Sequence, residues 1–201
     1  MREREAAVLI AEAQRDVRRV YQGGFYGQLV SGVVWLVAAA VASWVSVPTA
    51  VATLFLGGAL IFPLTTLVIR LTGRPAALPA GHPMAALAMQ IAFTVPIGIG
   101  IVVVVAMLGG NGELFFPAAM VIVGAHYLPF VFLYGMRLFA VLAGGLVVVG
   151  VLLLYALPLP ATTGGWFTGA LLVAFAFLLR RSVRTLDDST AYSDNRNEGS
   201  P

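Results

Sequence analysis

A chain of 201 residues that is 60% hydrophobic and only 10% charged, with a mean hydropathy of +0.94, has too little polar side chain to cover a water-facing surface, since a soluble domain carries roughly 25% charged residues. Cysteine is absent, which excludes a disulfide framework, a thiolate metal site and a catalytic thiol. The net charge of +3 rests on arginine alone, lysine being absent, and the arginines follow a membrane topology instead of lining a basic groove, so nucleic acid is not an expected partner.

Residues 1–22 read as an amphipathic cytoplasmic helix. Ala6, Ile10, Ala13, Val17 and Val20 recur at helical spacing, while Arg2, Glu3, Glu12, Arg15, Asp16, Arg18 and Arg19 occupy the other faces. Such a helix lies on the lipid surface or packs under a bundle. Six apolar segments follow at about 25–47, 49–71, 85–108, 114–134, 137–157 and 164–180, each near the ~20 residues needed to cross ~30 Å of hydrocarbon. Val47-Pro48 turns the first into the second, Gly109-Gly110-Asn111-Gly112 turns the third into the fourth, and Pro158, Pro160 and Gly164-Gly165 split the last two. From Thr185 onward the chain is polar, and 183–201 reads as a disordered cytoplasmic tail. The fold expected is all-α, a polytopic membrane bundle of six transmembrane helices in three hairpins, occupying 23–182.

The charges test this layout. With the N-terminus inside, all 12 arginines fall on inner segments: five in the prelude, then Arg70, Arg74, Arg137, Arg180, Arg181, Arg184 and Arg196. The outer turns hold none, and one of them carries Glu113. This is the positive-inside pattern, and it puts both ends in the cytoplasm; the arginine-only, Ala-, Val- and Gly-rich composition suggests a bacterial source, hence the inner (cytoplasmic) membrane.

Between residues 20 and 179 the only charged side chains are Arg70, Arg74, Glu113 and Arg137. Ion- and proton-coupled carriers keep ionisable residues within the membrane, so the lack of any carboxylate in a span counts against one. His126 is the one ionisable group near the middle of a span. It either lines a polar cavity with Gln28, Gln90 and Thr94 or serves as interhelical glue bonded to one of them. Pro63, Pro96 and Pro129 stand inside spans, each freeing a backbone carbonyl, and read as kinks. Gly23-xxx-Gly27-xxx-Ser31 and Gly165-xxx-Gly169 permit close helix packing within the chain. Tyr26, Trp44, Tyr134, Tyr155 and Trp166 sit near span ends as interfacial anchors.

Gly58-Ala59-Leu60-Ile61-Phe62-Pro63 parallels Gly124-Ala125-His126-Tyr127-Leu128-Pro129, and each runs on to an inner arginine. The second of these stretches resembles a group of bacterial integral membrane proteins of unknown function, which carry Gly-x-His-aromatic-Leu-Pro in a late span. The likeness covers mainly 121–150. It singles out His126 and Pro129 and implies no activity.

Other chemistry finds no footing. There is no phosphate-loop lysine, His82 and His126 lie far apart in the layout so no metal site is expected, and no carboxylate can orient His126 against a serine. No cofactor is expected. Three function classes remain, in this order. The first is a non-catalytic protein binding a partner, lipid or small apolar ligand within the bundle. The second is a small uncoupled transporter or channel with a polar path past Gln28, Gln90 and His126. The third is an intramembrane enzyme using His126. The partners expected are the lipid bilayer and an unidentified membrane or cytoplasmic protein.

Overall fold

The computed structural model describes the backbone of residues 2–157, 159, 160 and 162–198. These residues form eight α-helices and no strand: α1 (Arg2–Tyr21), α2 (Phe25–Trp44), α3 (Val47–Leu71), α4 (Ala85–Leu108), α5 (Phe115–His126), α6 (Leu128–Tyr134), α7 (Leu138–Tyr155) and α8 (Thr162–Glu198). With α5 and α6 taken as one broken element, six helical segments are long and apolar enough to cross a membrane. The chain is therefore a multi-pass membrane protein. Pro158, one of the residues expected to separate the last two spans, lies outside the described residues.

Local chemistry explains the boundaries. Gly23 and Gly24 take positive φ of 64° and 86°, which ends α1 and lets α2 leave in a new direction. Ser46 accepts from the Thr49 N–H at 3.3 Å, and Pro48 occupies the first turn of α3, where its missing donor costs nothing. Pro63 and Pro96 are carried inside continuous α3 and α4. Pro129 acts differently. It stands in the first turn of α6, just after α5 has ended at His126, because its ring denies the chain a bond to the Ala125 carbonyl. Tyr127 bridges the gap with tighter bonds, its N–H donating to Gly124 at 3.0 Å and its carbonyl accepting from Phe130 at 3.2 Å.

Helix α2 lies between α3 and α8, and α5 packs against α7, α4 and α8. The third hairpin is thus opened, with α7 mainly on α5 and α8 mainly on α2. Small residues set the closest approach. A Cβ on Gly32 would stand 3.0 Å from the Gly169 carbonyl, and one on Gly169 would stand 2.9 Å from the Leu36 nitrogen, so α2 and α8 meet backbone to backbone. Helices α3 and α4 are peripheral: only 11% of each span is buried, against 44% for the spans of α5–α6 and α8.

Helix α8 continues through the polar segment to Glu198. No proline or glycine interrupts 170–198, and a helix already nucleated by a packed span propagates one bond per residue.

One end of the bundle gathers the arginine-bearing segments. Arg180 sits 4.7 Å over the Phe25 ring, and Arg18 reaches Tyr134. Helix α1 docks at this end, burying Ala13 and Val17 while Val8, Leu9 and Ile10 stay exposed.

Candidate ligand-binding cavity

Helices α2, α3, α4 and α5–α6 line a partly open cavity of about 410 Å³ in the arginine-bearing half of the bundle. It runs from Trp35, Leu54 and Ile99 near mid-bundle to Tyr21 and the Ala76–Leu78 loop. No aspartate, glutamate, lysine or arginine lines it. Its walls are aliphatic and aromatic, with a few uncharged polar groups set among them.

Those polar groups come from three elements. On α2, Gln28 and Ser31 lie one turn apart and are almost fully buried, at 3% and 7% exposure. The Tyr127 hydroxyl, placed by the break between α5 and α6, approaches both side chains. Thr65 lines the same cavity from α3, its hydroxyl 4.0 Å from where a Cβ on Gly27 would stand. Two buried atoms in this group have no hydrogen-bond partner, Gln28 Oε1 and Thr65 Oγ1. Buried polar atoms are nearly always bonded, and leaving one bare costs roughly 1–3 kcal/mol. The cavity therefore presents an unmet polar demand.

An aromatic cluster forms the wall beside it. Phe130 stacks on Tyr134 at 5.7 Å with planes 6° apart, and Phe139 lies 5.1 Å from Tyr134 and 5.3 Å from Phe130. Gly24 lets this cluster close against the α1–α2 turn, since a Cβ there would be 3.3 Å from the Phe139 ring. Tyr134 is thus a buried wall residue at 5% exposure, which corrects its reading as an interfacial anchor. Trp44 and Tyr155 do stand exposed near helix ends.

His126 lines the cavity, and its Nδ1 lies 3.0 Å from Thr94 Oγ1, joining α5 to α4. Thr94 Oγ1 also donates to the Ile91 carbonyl at 2.8 Å, so both bonds form together when His126 Nδ1 carries the ring proton and donates it to Thr94 Oγ1. Phe130 meets the His126 ring edge to face at 5.0 Å. Of the four polar residues expected to assemble, Gln28 and His126 share the cavity and Thr94 is bonded to His126. Gln90 is exposed and stands apart. The stripe that α4 turns inward runs through Ala88, Ile91, Val95 and Ile99, and Gln90 sits one residue, or 100°, off it. A continuous polar path past Gln28, Gln90 and His126 is not formed.

The arginine-bearing end is covered by the segment joining α3 to α4. Ala76–Leu78 line the cavity, and the Tyr21 hydroxyl meets the Leu78 backbone. His82 Nδ1 accepts from the Met84 N–H at 3.2 Å, leaving Nε2 3.7 Å from Asp16 on α1. Helix α1 is itself tied to α6: Gln14 Nε2 donates to the Phe132 carbonyl at 2.6 Å and Arg18 Nη1 to the Tyr134 carbonyl at 2.5 Å. These are carbonyls of the last α6 turn, left without helical partners once Gly135 ends the helix at φ 63°. Arg70, Arg74, Arg137 and Arg181 lie exposed at this end, outside the cavity. Among the described residues no cluster of three histidine, aspartate or glutamate side chains could hold a metal ion.

A family model matches residues 10–182. The chain belongs to the family of unknown function DUF7010. The matched segment starts in α1 and ends in α8, so it spans every cavity-lining residue, from Tyr21 to Phe139. No curated protein and no solved structure matches the chain.

Proposed function

We propose that this is a non-catalytic membrane protein that binds a small, largely apolar ligand within its helix bundle. The cavity carries the reading: about 410 Å³, uncharged, walled by aromatic and aliphatic side chains, with two buried polar atoms left unpaired. Ligand pockets commonly combine an apolar lining with a few placed polar groups. A ligand that met both Gln28 Oε1 and Thr65 Oγ1 would satisfy two buried polar atoms at once. His126 supports a binding role over acid–base chemistry, because the group within hydrogen-bonding distance of its Nδ1 is a threonine hydroxyl and no carboxylate lines the cavity. The gathering of arginines at one end supports an orientation with both chain ends cytoplasmic, in the inner membrane of a bacterium.

Gly58 supplies the test. It lines the cavity, and a Cβ built on it meets nothing within 4 Å, so Gly58→Leu fills space without a forced clash. Small molecules co-purifying with wild type and with Gly58→Leu are compared by mass spectrometry. A compound enriched on wild type and lost from the variant is the expected result. Identical extracts from the two proteins would defeat the proposal.

A further inference from the structure

The cavity also restricts the chemistry of its ligand, an inference that rests on the ligand-binding reading. We infer that the ligand is a neutral apolar molecule with one hydroxyl group, seated between Gln28 and Thr65.

Charge is the first constraint. No arginine, lysine, aspartate or glutamate lines the cavity. A phosphate, carboxylate or ammonium head would be stripped of water there without a counter-ion, which is costly in a low-dielectric interior. Phospholipid and fatty-acid heads are therefore the wrong chemistry, although their chains would suit the walls.

The unpaired atoms supply the second constraint. Gln28 Oε1 is an acceptor only, whereas the Thr65 hydroxyl both donates and accepts. A pure hydrocarbon answers neither atom. A ketone or quinone accepts from Thr65 and leaves Oε1 bare. A hydroxyl donates to Oε1 and accepts from Thr65, completing both. It also serves the reverse orientation of the Gln28 amide, accepting from Nε2 instead. The other polar neighbours, Ser31 and the Tyr127 hydroxyl, approach Gln28 from α2 and from the helix break. The remaining lining near Trp35, Leu54, Ile99 and Phe130 accepts an apolar body.

Trp35 makes the test direct. It is 2% exposed and lines the cavity, while Trp44 and Trp166 pair 6.0 Å apart at the opposite end. Trp44→Phe with Trp166→Phe leaves Trp35 as the sole indole, and bromine on a bound ligand quenches it. The protein in lipid nanodiscs is titrated with ω-bromoundecanol, bromoundecane and ω-bromoundecanoate, compared at equal mole fraction in the lipid. The alcohol is expected to quench saturably at a mole fraction about tenfold lower than the alkane, the worth of one net hydrogen bond to a buried group. Gln28→Leu with Thr65→Val should erase that difference, and Gly58→Leu should suppress quenching by all three probes. Equal quenching by alcohol and alkane, still blocked by Gly58→Leu, overturns the hydroxyl inference and leaves the ligand-binding reading standing. Tighter binding of the carboxylate overturns it as well. Quenching by none of the probes, or quenching indifferent to Gly58→Leu, overturns the ligand-binding reading itself.

Discussion

Thr94 and His126 stand on different helices, and their side chains meet at 3.0 Å across the seam between α4 and α5. His126 is the last residue of α5, which ends where Pro129 forbids the next helical bond. The Thr94–His126 contact is the only polar side-chain contact between α4 and another helix that the hydrogen bonds of the described residues record. Helix α4 is otherwise peripheral and held by apolar contact.

That contact should be measurable as a coupling. A double-mutant cycle of Thr94→Val and His126→Leu is expected to give about 0.6 kcal/mol, the average for hydrogen bonds between membrane helices. Reversible unfolding in bicelles provides the readout. Additive single and double variants would mean that the two side chains are neighbours without an energetic bond.

The glycines separate into two kinds, which one experiment distinguishes. Gly32→Val places atoms against the Gly169 carbonyl and the Val173 backbone nitrogen, each 3.0 Å from its Cβ. Overpacking of this sort costs about 1–3 kcal/mol. Gly58→Ala meets open space and should be neutral or stabilising by up to about 1 kcal/mol, from helix propensity. Thermal unfolding in detergent checks both. Equal Tm changes would contradict the backbone-to-backbone packing of α2 on α8.

The docking of α1 rests on Gln14 and Arg18 reaching the last carbonyls of α6. Gln14→Leu removes one uncharged bond and should speed amide exchange across residues 11–20 by about fivefold. Arg18→Leu, losing a charge-assisted bond, should have the larger effect. Unchanged exchange in both variants would show that the apolar contacts of Ala13 and Val17 hold α1 without help.

Orientation is open to direct labelling, because the chain contains no cysteine. Asn111→Cys, in the turn beside Glu113, should react with an impermeant maleimide on intact cells. Gly73→Cys, beside Arg74, should react only after permeabilisation. The reverse pattern would invert the proposed topology.

Much of the fold was legible because the bilayer imposes one strict demand, about 20 apolar residues per crossing. The spans expected at 49–71, 85–108 and 114–134 match α3, α4 and α5–α6 to within two residues at either end. The site was harder to see. Helix α4 is apolar apart from Gln90 and Thr94, so its hydrophobic pattern does not say which face turns inward, and Gln90 looked as good a lining residue as Gln28. Thr65 was passed over because a threonine pair, Thr65-Thr66, in an apolar run is ordinary. Depth could have exposed it: Thr65 stands five residues before Arg70 in the second apolar segment, and Gln28 three after Phe25 at the start of the first, so both lie within two turns of the arginine-bearing end. Tyr134 misled for the opposite reason, since proximity to a span end describes an anchor and a buried wall residue equally well. Polarity in 183–198 predicts solvent exposure and does not by itself forbid the helix that α8 continues there.

Tyr21 belongs to two structures at once. It is the last residue of α1, and it also lines the cavity while its hydroxyl holds the Leu78 backbone. On the proposed ligand-binding role, occupancy of the cavity and attachment of α1 share a common wall, and their free energies are linked. By thermodynamic reciprocity, whatever factor ligand adds to the docking equilibrium of α1, docking must return to the affinity for ligand. A soluble partner that drew α1 away would then lower the cavity's hold on its contents, a message passed across the membrane surface without any group entering the site.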